Sequence, residues 1–73
     1  MKRLSHEQIA WLRSNFPQGT RIMLDYMAED PNPVPAHSCG TVQYIDDAGT
    51  IHCIWDNQRT LGICPEVDRF HKI

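Results

Sequence analysis

The side chains with the greatest capacity for chemistry are cysteines and histidines, and most of them lie between residues 37 and 71. A zinc site would have to be drawn from His37, Cys39, His52, Cys53, Cys64 and His71. Thiolates and imidazoles are ligands that zinc prefers. Adjacent residues on a strand point to opposite faces, so His52 and Cys53 cannot easily share one ion, and no spacing matches a zinc knuckle or finger. We therefore predict no metal and no other cofactor, and expect buried or half-buried thiols.

His37 and Cys39 form a second arrangement that could do chemistry. Side chains two apart in an extended segment share a face, so the imidazole could contact the thiol. However, nothing in the sequence supplies an acid to orient the histidine or donors for an oxyanion. We predict that the chain is not an enzyme.

Asp46 and Asp47 could be interpreted as paired carboxylates or calcium ligands. The stretch lacks the number of oxygen ligands that calcium requires. Asp-Asp-Ala-Gly is more typical of a turn, in which an aspartate accepts hydrogen bonds from its own backbone and Gly49 supplies conformational freedom. We therefore predict a turn here.

Composition restricts the class of protein and its partners. Seven Lys and Arg against nine Asp and Glu give a formal charge of −2 over 73 residues, which argues against a nucleic-acid partner. No apolar run approaches the roughly 20 residues that a membrane span needs, and no secretory apolar region follows Met1-Lys2-Arg3. Three cysteines without a CxxC pair make a poor disulfide framework. We expect residues 1–73 to form one cytoplasmic domain without membrane contact.

The elements that must position these residues begin with a helix predicted over 5–15. Ser5 and Gln8 have the spacing of a capping box, and Ile9, Leu12 and Phe16 follow helical periodicity. Pro17 disfavours helix at the residue before it. Trp11 lies off the centre of the apolar stripe, at the edge of the core or partly exposed.

The rest of the chain reads as five short strands. The stretch 40–57 alternates apolar and polar residues on both sides of the Asp46–Gly49 turn and predicts an antiparallel hairpin. Val42 and Tyr44 share one face of its first strand, and its predicted inward residues are Val42, Ile51, Cys53 and Trp55. The other predicted strands are 20–27, with Ile22, Leu24 and Tyr26 on one face, then 59–64 and 70–73.

A loop containing three prolines, Pro31, Pro33 and Pro35, joins the first two strands, and a tight turn over 65–68 precedes the last. This order is that of SH3-like barrels. The predicted fold is mainly β, a small five-stranded SH3-like barrel over 20–73 preceded by a short helix, and closure would remove exposed sheet edges.

Loops held by such a scaffold are where binding residues concentrate. We therefore expect a contact surface formed by the proline loop and the turns at the two ends of the hairpin. Its candidate residues are Tyr26, Asp30, Pro33, Pro35, Asp46, Asp47, Asp56, Asn57 and Arg59. For the proline loop, an ordinary solvated connector is an equally good interpretation.

Three motifs carry a resemblance to a known family: Gly40-Thr41-Val42, Asp46-Asp47-Ala48-Gly49 and Trp55-Asp56-Asn57. Together with Pro17-Gln18-Gly19-Thr20-Arg21, they resemble the small bacterial and phage proteins grouped as domain of unknown function 4314, over 4–73. The chain is more weakly similar to peptide-binding SH3-like domains of ubiquitin ligases. Gln58 stands where the family has glycine, and Pro65-Glu66-Val67 replaces a glycine-containing stretch.

The resemblance implies an origin in a phage or mobile element and leaves the molecular role unassigned. Our first hypothesis is a non-enzymatic interaction module that binds a protein partner, such as a host or defence factor. The alternative is an oligomer that holds a small nucleotide-like ligand between subunits through Arg21, Arg59 and the histidines, because so small a barrel cannot enclose a useful pocket.

Overall fold

One short helix and five antiparallel strands make up the fold, seen in a computed structural model that describes residues 4–28 and 30–73. The elements are α1 (His6–Asn15), β1 (Arg21–Tyr26), β2 (Cys39–Ile45), β3 (Ile51–Trp55), β4 (Thr60–Ile63) and β5 (Arg69–Lys72). The prediction of a mainly β chain with a short amino-terminal helix is confirmed. Strands β1 and β4 are one residue shorter at each end than predicted, whereas β2 and β5 begin one residue earlier.

The predicted capping box opens helix α1. The Ser5 hydroxyl accepts a hydrogen bond from the Gln8 amide at 3.1 Å, and the Gln8 side chain accepts one from the Ser5 amide at 2.7 Å. Ile9 and Leu12 are buried, whereas Trp11 is 60% exposed. Within the described ranges, no helix has the length and apolar character needed to cross a membrane.

The strands form a single sheet in the order β4-β3-β2-β1-β5. No ladder joins β4 to β5 among the described residues, so the sheet is not closed and the predicted barrel, closed or nearly closed, is not confirmed. The short link between the two edge strands nevertheless indicates that the sheet is curled. Segment 64–68, which links these two edge strands, is wound into one turn because Val67 and Asp68 both donate to the Cys64 carbonyl. It spans roughly 10 Å, whereas the edges of a flat five-stranded sheet lie about 19 Å apart.

Residues from every strand up to β4, from α1 and from the proline loop fill the concave side of the curled sheet. Its fully buried side chains are Ile22, Leu24, Val34, Val42, Ile51, Trp55 and Ile63. Ile51, Cys53 and Trp55 are all buried, as their alternation predicted. Gly40 allows this packing, since a Cβ there would lie 2.8 Å from Cε3 of Trp55.

Two tyrosines contradict the simple alternation. Strict alternation places Tyr26 on one face with Ile22 and Leu24, and Tyr44 on one face with Val42, yet the tyrosines are 58% and 57% exposed. The β1–β5 register shifts between Leu24 and Tyr26, and the β2–β3 register shifts between Val42 and Tyr44. Such irregularities insert an extra residue, and the residues after it point to the opposite face. The prediction that each tyrosine shares a face with the buried residues before it is therefore wrong.

The two hairpin turns share one geometry. Gly49 donates to the Asp46 carbonyl and Gln58 donates to the Trp55 carbonyl, and both residues have positive φ, 91° and 74°. This is the three-residue hairpin loop that ends in a left-handed residue. Gln58 therefore occupies a conformation that favours glycine.

Asp68 connects the end of the sheet to the loop that follows β1. It is 7% exposed, and its two carboxylate oxygens accept hydrogen bonds from the Ala28 amide at 2.9 Å and the Cys64 amide at 2.8 Å. A buried carboxylate needs such hydrogen-bond partners. Through these two bonds, Asp68 joins the β4–β5 turn to the beginning of the proline loop.

Candidate functional site

The proline loop between β1 and β2 is held in place by Arg59. The Arg59 guanidinium donates to the Asn32 carbonyl at 2.7 Å and to the Pro33 carbonyl at 3.3 Å. Val34, in the middle of the loop, is only 2% exposed. A planar guanidinium can donate to two acceptors at once with a fixed geometry. The loop and the β3–β4 turn are therefore joined into one surface.

Seven of the sequence-predicted binding residues belong to the segments that meet here, namely the end of β1, the proline loop and the β3–β4 turn, which we call the loop end: Tyr26, Asp30, Pro33, Pro35, Asp56, Asn57 and Arg59. Pro33 and Pro35 are exposed, and Tyr26 lies at the base of the loop. Asp30 accepts a hydrogen bond from the Asn32 amide at 2.8 Å, and this turn shapes the loop from within. Glu29, which belongs to the same stretch, lies outside the described residues.

The Asp56 carboxylate forms an ion pair with Arg21 within the fold. Its carboxylate accepts two hydrogen bonds from Arg21, each at 2.8 Å, and Arg21 also donates to the Thr41 hydroxyl at 3.0 Å. These bonds from Arg21 hold the pKa of Asp56 below its ordinary value, and the same pairing raises the pKa of Arg21. The pair braces β1, β2 and the β3–β4 turn, so Asp56 is less free to bind a partner than the sequence suggested.

Asp46 and Asp47 lie at the opposite end of the β2–β3 hairpin. Six residue steps along β2 separate the two ends, about 20 Å at the rise of a strand. Asp47 is fully exposed and pairs with Arg13 at 3.0 Å, which also donates to the Ile45 carbonyl. The predicted surface is therefore divided in two, and Asp46 and Asp47 do not join the other seven residues.

Asp46 has the turn role that its sequence predicted, together with a partner that it did not. One carboxylate oxygen accepts the amides of Ala48 and Thr50 at 3.0 and 2.9 Å. The other oxygen lies 2.8 Å from Nε2 of His52. The His52 hydrogen bond, followed by those two amides, holds the pKa of Asp46 below its ordinary value, although partial burial opposes this.

Acidification is expected to remove the contribution of Asp46 to stability. Its pKa is lower in the folded chain than in the unfolded chain, so the contribution is complete above about pH 4 and is lost as the pH falls through the folded-state pKa. Urea unfolding at several pH values should therefore show a shallower loss of unfolding free energy for Asp46→Asn than for the wild type below about pH 5. Equal slopes for the wild type and Asp46→Asn would contradict this role.

The outer face of the sheet carries a stacked pair that sequence reasoning missed. Tyr44 and His52 have ring centroids 4.4 Å apart and planes inclined by 9°. Exposed Ile54 lies on the same face, beside Thr60 and Gly62 of β4. The sequence indicated part of this outer face, because His52 and Ile54 alternate along β3 with the buried Cys53. The Tyr44 side chain points to this face only because the register of β2 shifts before it.

The cysteines and histidines do not assemble. Among residues 4–28 and 30–73, no group of three or more Cys, His, Asp or Glu side chains is placed to hold a metal ion. His52 contacts Asp46, and His71 contacts Asp25 at 2.9 Å on the β1–β5 pair. Burial raises the pKa of the Cys53 thiol to about 12, which leaves it a poor nucleophile at neutral pH.

Comparison with known proteins places the chain in a family without assigning it an activity. No curated protein and no solved structure matches it. The family model described as Domain of unknown function (DUF4314) matches residues 5–73, nearly the whole chain. Its span contains the helix, all five strands and both turns of the hairpin region. The chain therefore belongs to the DUF4314 family.

Proposed function

We propose that this chain is a non-enzymatic interaction module that binds a protein partner through the loop end. The observation that carries the proposal is the Arg59 tether, which fixes the proline loop against the β3–β4 turn by two carbonyl contacts. A loop anchored at Val34 and held by Arg59 has lost much of its freedom before any partner arrives. Binding through a preorganised surface avoids part of the ordering cost.

The side chains presented there suit a protein partner. Tyr26 is 58% exposed, and tyrosine supplies a large contact area with a polar tip, which is why it is enriched at interfaces. Pro33 and Pro35 add rigid apolar contacts, while Asp30 and Asn57 supply acceptors at the rim. The mixture resembles a protein interface more closely than a cavity for a small molecule.

The ligand-binding alternative has less support from the same contacts. It requires Arg21 and Arg59 as cationic groups for a nucleotide-like molecule. Arg21 already pairs with Asp56, and Arg59 already donates to the loop carbonyls. A ligand would have to break these bonds, so we favour the protein partner.

Three further features complete the proposal. The curled sheet, with its strand order and its proline loop, is taken to be an SH3-like barrel that lacks the final ladder. The resemblance of its motifs to phage and bacterial proteins supports an origin in a phage or mobile element, which would make a host factor the natural partner. Thiols at Cys39, Cys53 and Cys64, all unpaired, support the cytoplasm as its compartment.

Arg59→Ala is expected to abolish partner capture while leaving the fold intact. Without the guanidinium, the Asn32 and Pro33 carbonyls lose their shared donor and the loop becomes mobile. The bonds are exposed, so the loss of unfolding free energy should be only about 1 kcal/mol. The measurement is affinity capture from host lysate with the immobilised chain, followed by calorimetric titration of the purified captured protein with the wild type and each variant.

Two variants make the experiment specific. Tyr26→Ala removes an exposed contact without touching the tether and should weaken binding at least about tenfold. Asp47→Ala, at the far end of the hairpin, should bind as the wild type does. A partner that binds all three variants equally would place the interface elsewhere, and the absence of any reproducible partner would count against the proposal.

A further inference from the structure

The two edges of the sheet differ in how they are protected. Strand β5 carries Arg69, His71 and Lys72, and charged residues on an edge discourage pairing with another strand. Strand β4, with the sequence Thr60-Leu61-Gly62-Ile63, has no charged residue. Gly62 adds no side chain to shield the backbone. Among the described residues, the β5 edge therefore carries charges that discourage strand pairing, whereas the β4 edge carries none.

The ladder with β3 determines which groups of β4 are free. Trp55 donates to the Arg59 carbonyl at 2.8 Å, so this pair is of the hydrogen-bonded kind, and the kinds alternate along an antiparallel ladder. In the observed register Ile54 pairs with Thr60 and His52 pairs with Gly62. These two pairs are therefore non-hydrogen-bonded, and the amides and carbonyls of Thr60 and Gly62 point away from β3. No backbone or side-chain group among the described residues bonds to them.

We propose that β4 pairs with β4 of a second copy of this chain, so that the two sheets become continuous across a two-fold axis. In antiparallel self-pairing, the register that places Thr60 opposite the partner's Gly62 uses all four free groups on each strand. Thr60 and Gly62 of each copy then exchange two hydrogen bonds with their counterparts. The two copies of Leu61 face each other on the axis.

Self-complementarity is the reason to prefer a second copy over another occupant. Thr60 and Gly62 lie two residues apart. A two-fold rotation therefore places each of them opposite the other in the second copy and pairs every free amide with a free carbonyl. Because β4 is uncharged, no like charges meet when it opposes itself, whereas β5 would oppose its own cations. The absent side chain of Gly62 leaves space beside Thr60 of the other copy. A short pair of this kind buries little area, so the association is expected to be weak, with a Kd of about 0.1 mM.

Thr60→Pro tests the pairing directly. Thr60 is exposed and its amide points away from β3, so proline removes a donor without breaking the β3–β4 ladder, at the first position of an edge strand where proline is tolerated. Each dimer loses two of its four bonds, and the dimer is expected to weaken at least about tenfold. Sedimentation velocity across concentrations around the expected Kd measures this, and Thr60→Val, which keeps the amide, is the matched control.

Hydrogen exchange supplies a second measurement on the unaltered chain. The amides of Thr60 and Gly62 should exchange more slowly as concentration rises, while those of β5 should not change. Thr60→Lys provides a second variant should proline prevent folding, because its added charge would oppose itself across the axis. A wild-type chain that stays monomeric at every concentration, or a dimer that Thr60→Pro and Thr60→Lys leave unchanged, would overturn the proposal. These experiments use the chain alone, so their result is independent of the partner proposed for the loop end.

Discussion

Trp55→Ala is expected to destroy most of the stability of this protein. The side chain is 1% exposed and is the largest in the core, and removing a buried aromatic ring costs about 3–5 kcal/mol. A chain of 73 residues has only about 4–11 kcal/mol of unfolding free energy in total. The indole also donates to the Leu61 carbonyl at 3.1 Å. Urea unfolding followed by circular dichroism should show a midpoint far below that of the wild type.

The second tryptophan of the chain is the matched control. Trp11 is 60% exposed on helix α1, so Trp11→Ala should change the unfolding free energy by less than about 1 kcal/mol. Gly40→Ala should resemble Trp55→Ala in direction, because its Cβ would lie 2.8 Å from the ring and force the indole to move. If both tryptophan variants were equally stable, Trp55 could not be a main packing element of the core.

Asp68→Ala is expected to be the most damaging change at a polar residue, with a loss of about 2–4 kcal/mol. The substitution leaves the Ala28 and Cys64 amides without an acceptor in a part-buried position. It also releases the link between the β4–β5 turn and the start of the proline loop. Thermal and urea unfolding measure the loss, and hydrogen exchange at the two amides should accelerate well beyond the effect on the rest of the sheet.

A surface aspartate gives the comparison for this variant. Asp47 pairs with Arg13 with its carboxylate fully exposed, and exposed pairs contribute at most about 1 kcal/mol. Asp68→Asn should be intermediate, since the amide oxygen can still accept one hydrogen bond while its NH₂ group faces a donor. An Asp68→Ala variant as stable as Asp47→Ala would show that the two contacts contribute little.

Local pattern predicted the elements of this fold well and their irregularities poorly. The capping box, the β2–β3 hairpin and the buried side of β3 all follow from spacings within one segment. Tyr26 and Tyr44 did not, because a register shift depends on how neighbouring strands fit together. The same limit applies to the sheet: closure requires a ladder between β4 and β5, and no local pattern reports on that.

The candidate site was predictable to a similar extent. The turn role of Asp46 is local and was expected from its sequence. The contacts of Arg59 with Asn32 and Pro33 join residues more than 25 positions apart, and no spacing rule connects them. Val34 lies among prolines in a polar stretch, so its burial could not be inferred from periodicity. The predicted hairpin already placed Asp46 and Asp47 at one end and Asp56 and Asn57 at the other, whereas long-range packing decided that the proline loop is fixed beside the β3–β4 turn.

The position of β1 between β2 and β5 has a consequence for how the protein is made. Ile22 pairs with Lys72, so this residue of β1 finds its neighbour on that side only after fifty further residues have been added. While the nascent chain is still on the ribosome, β1 can pair with β2 but leaves its other edge and part of its apolar face uncovered. Such non-local pairing slows folding. Completion of the sheet is thus a late event, and the unfinished chain is the form most exposed to chaperones and proteases.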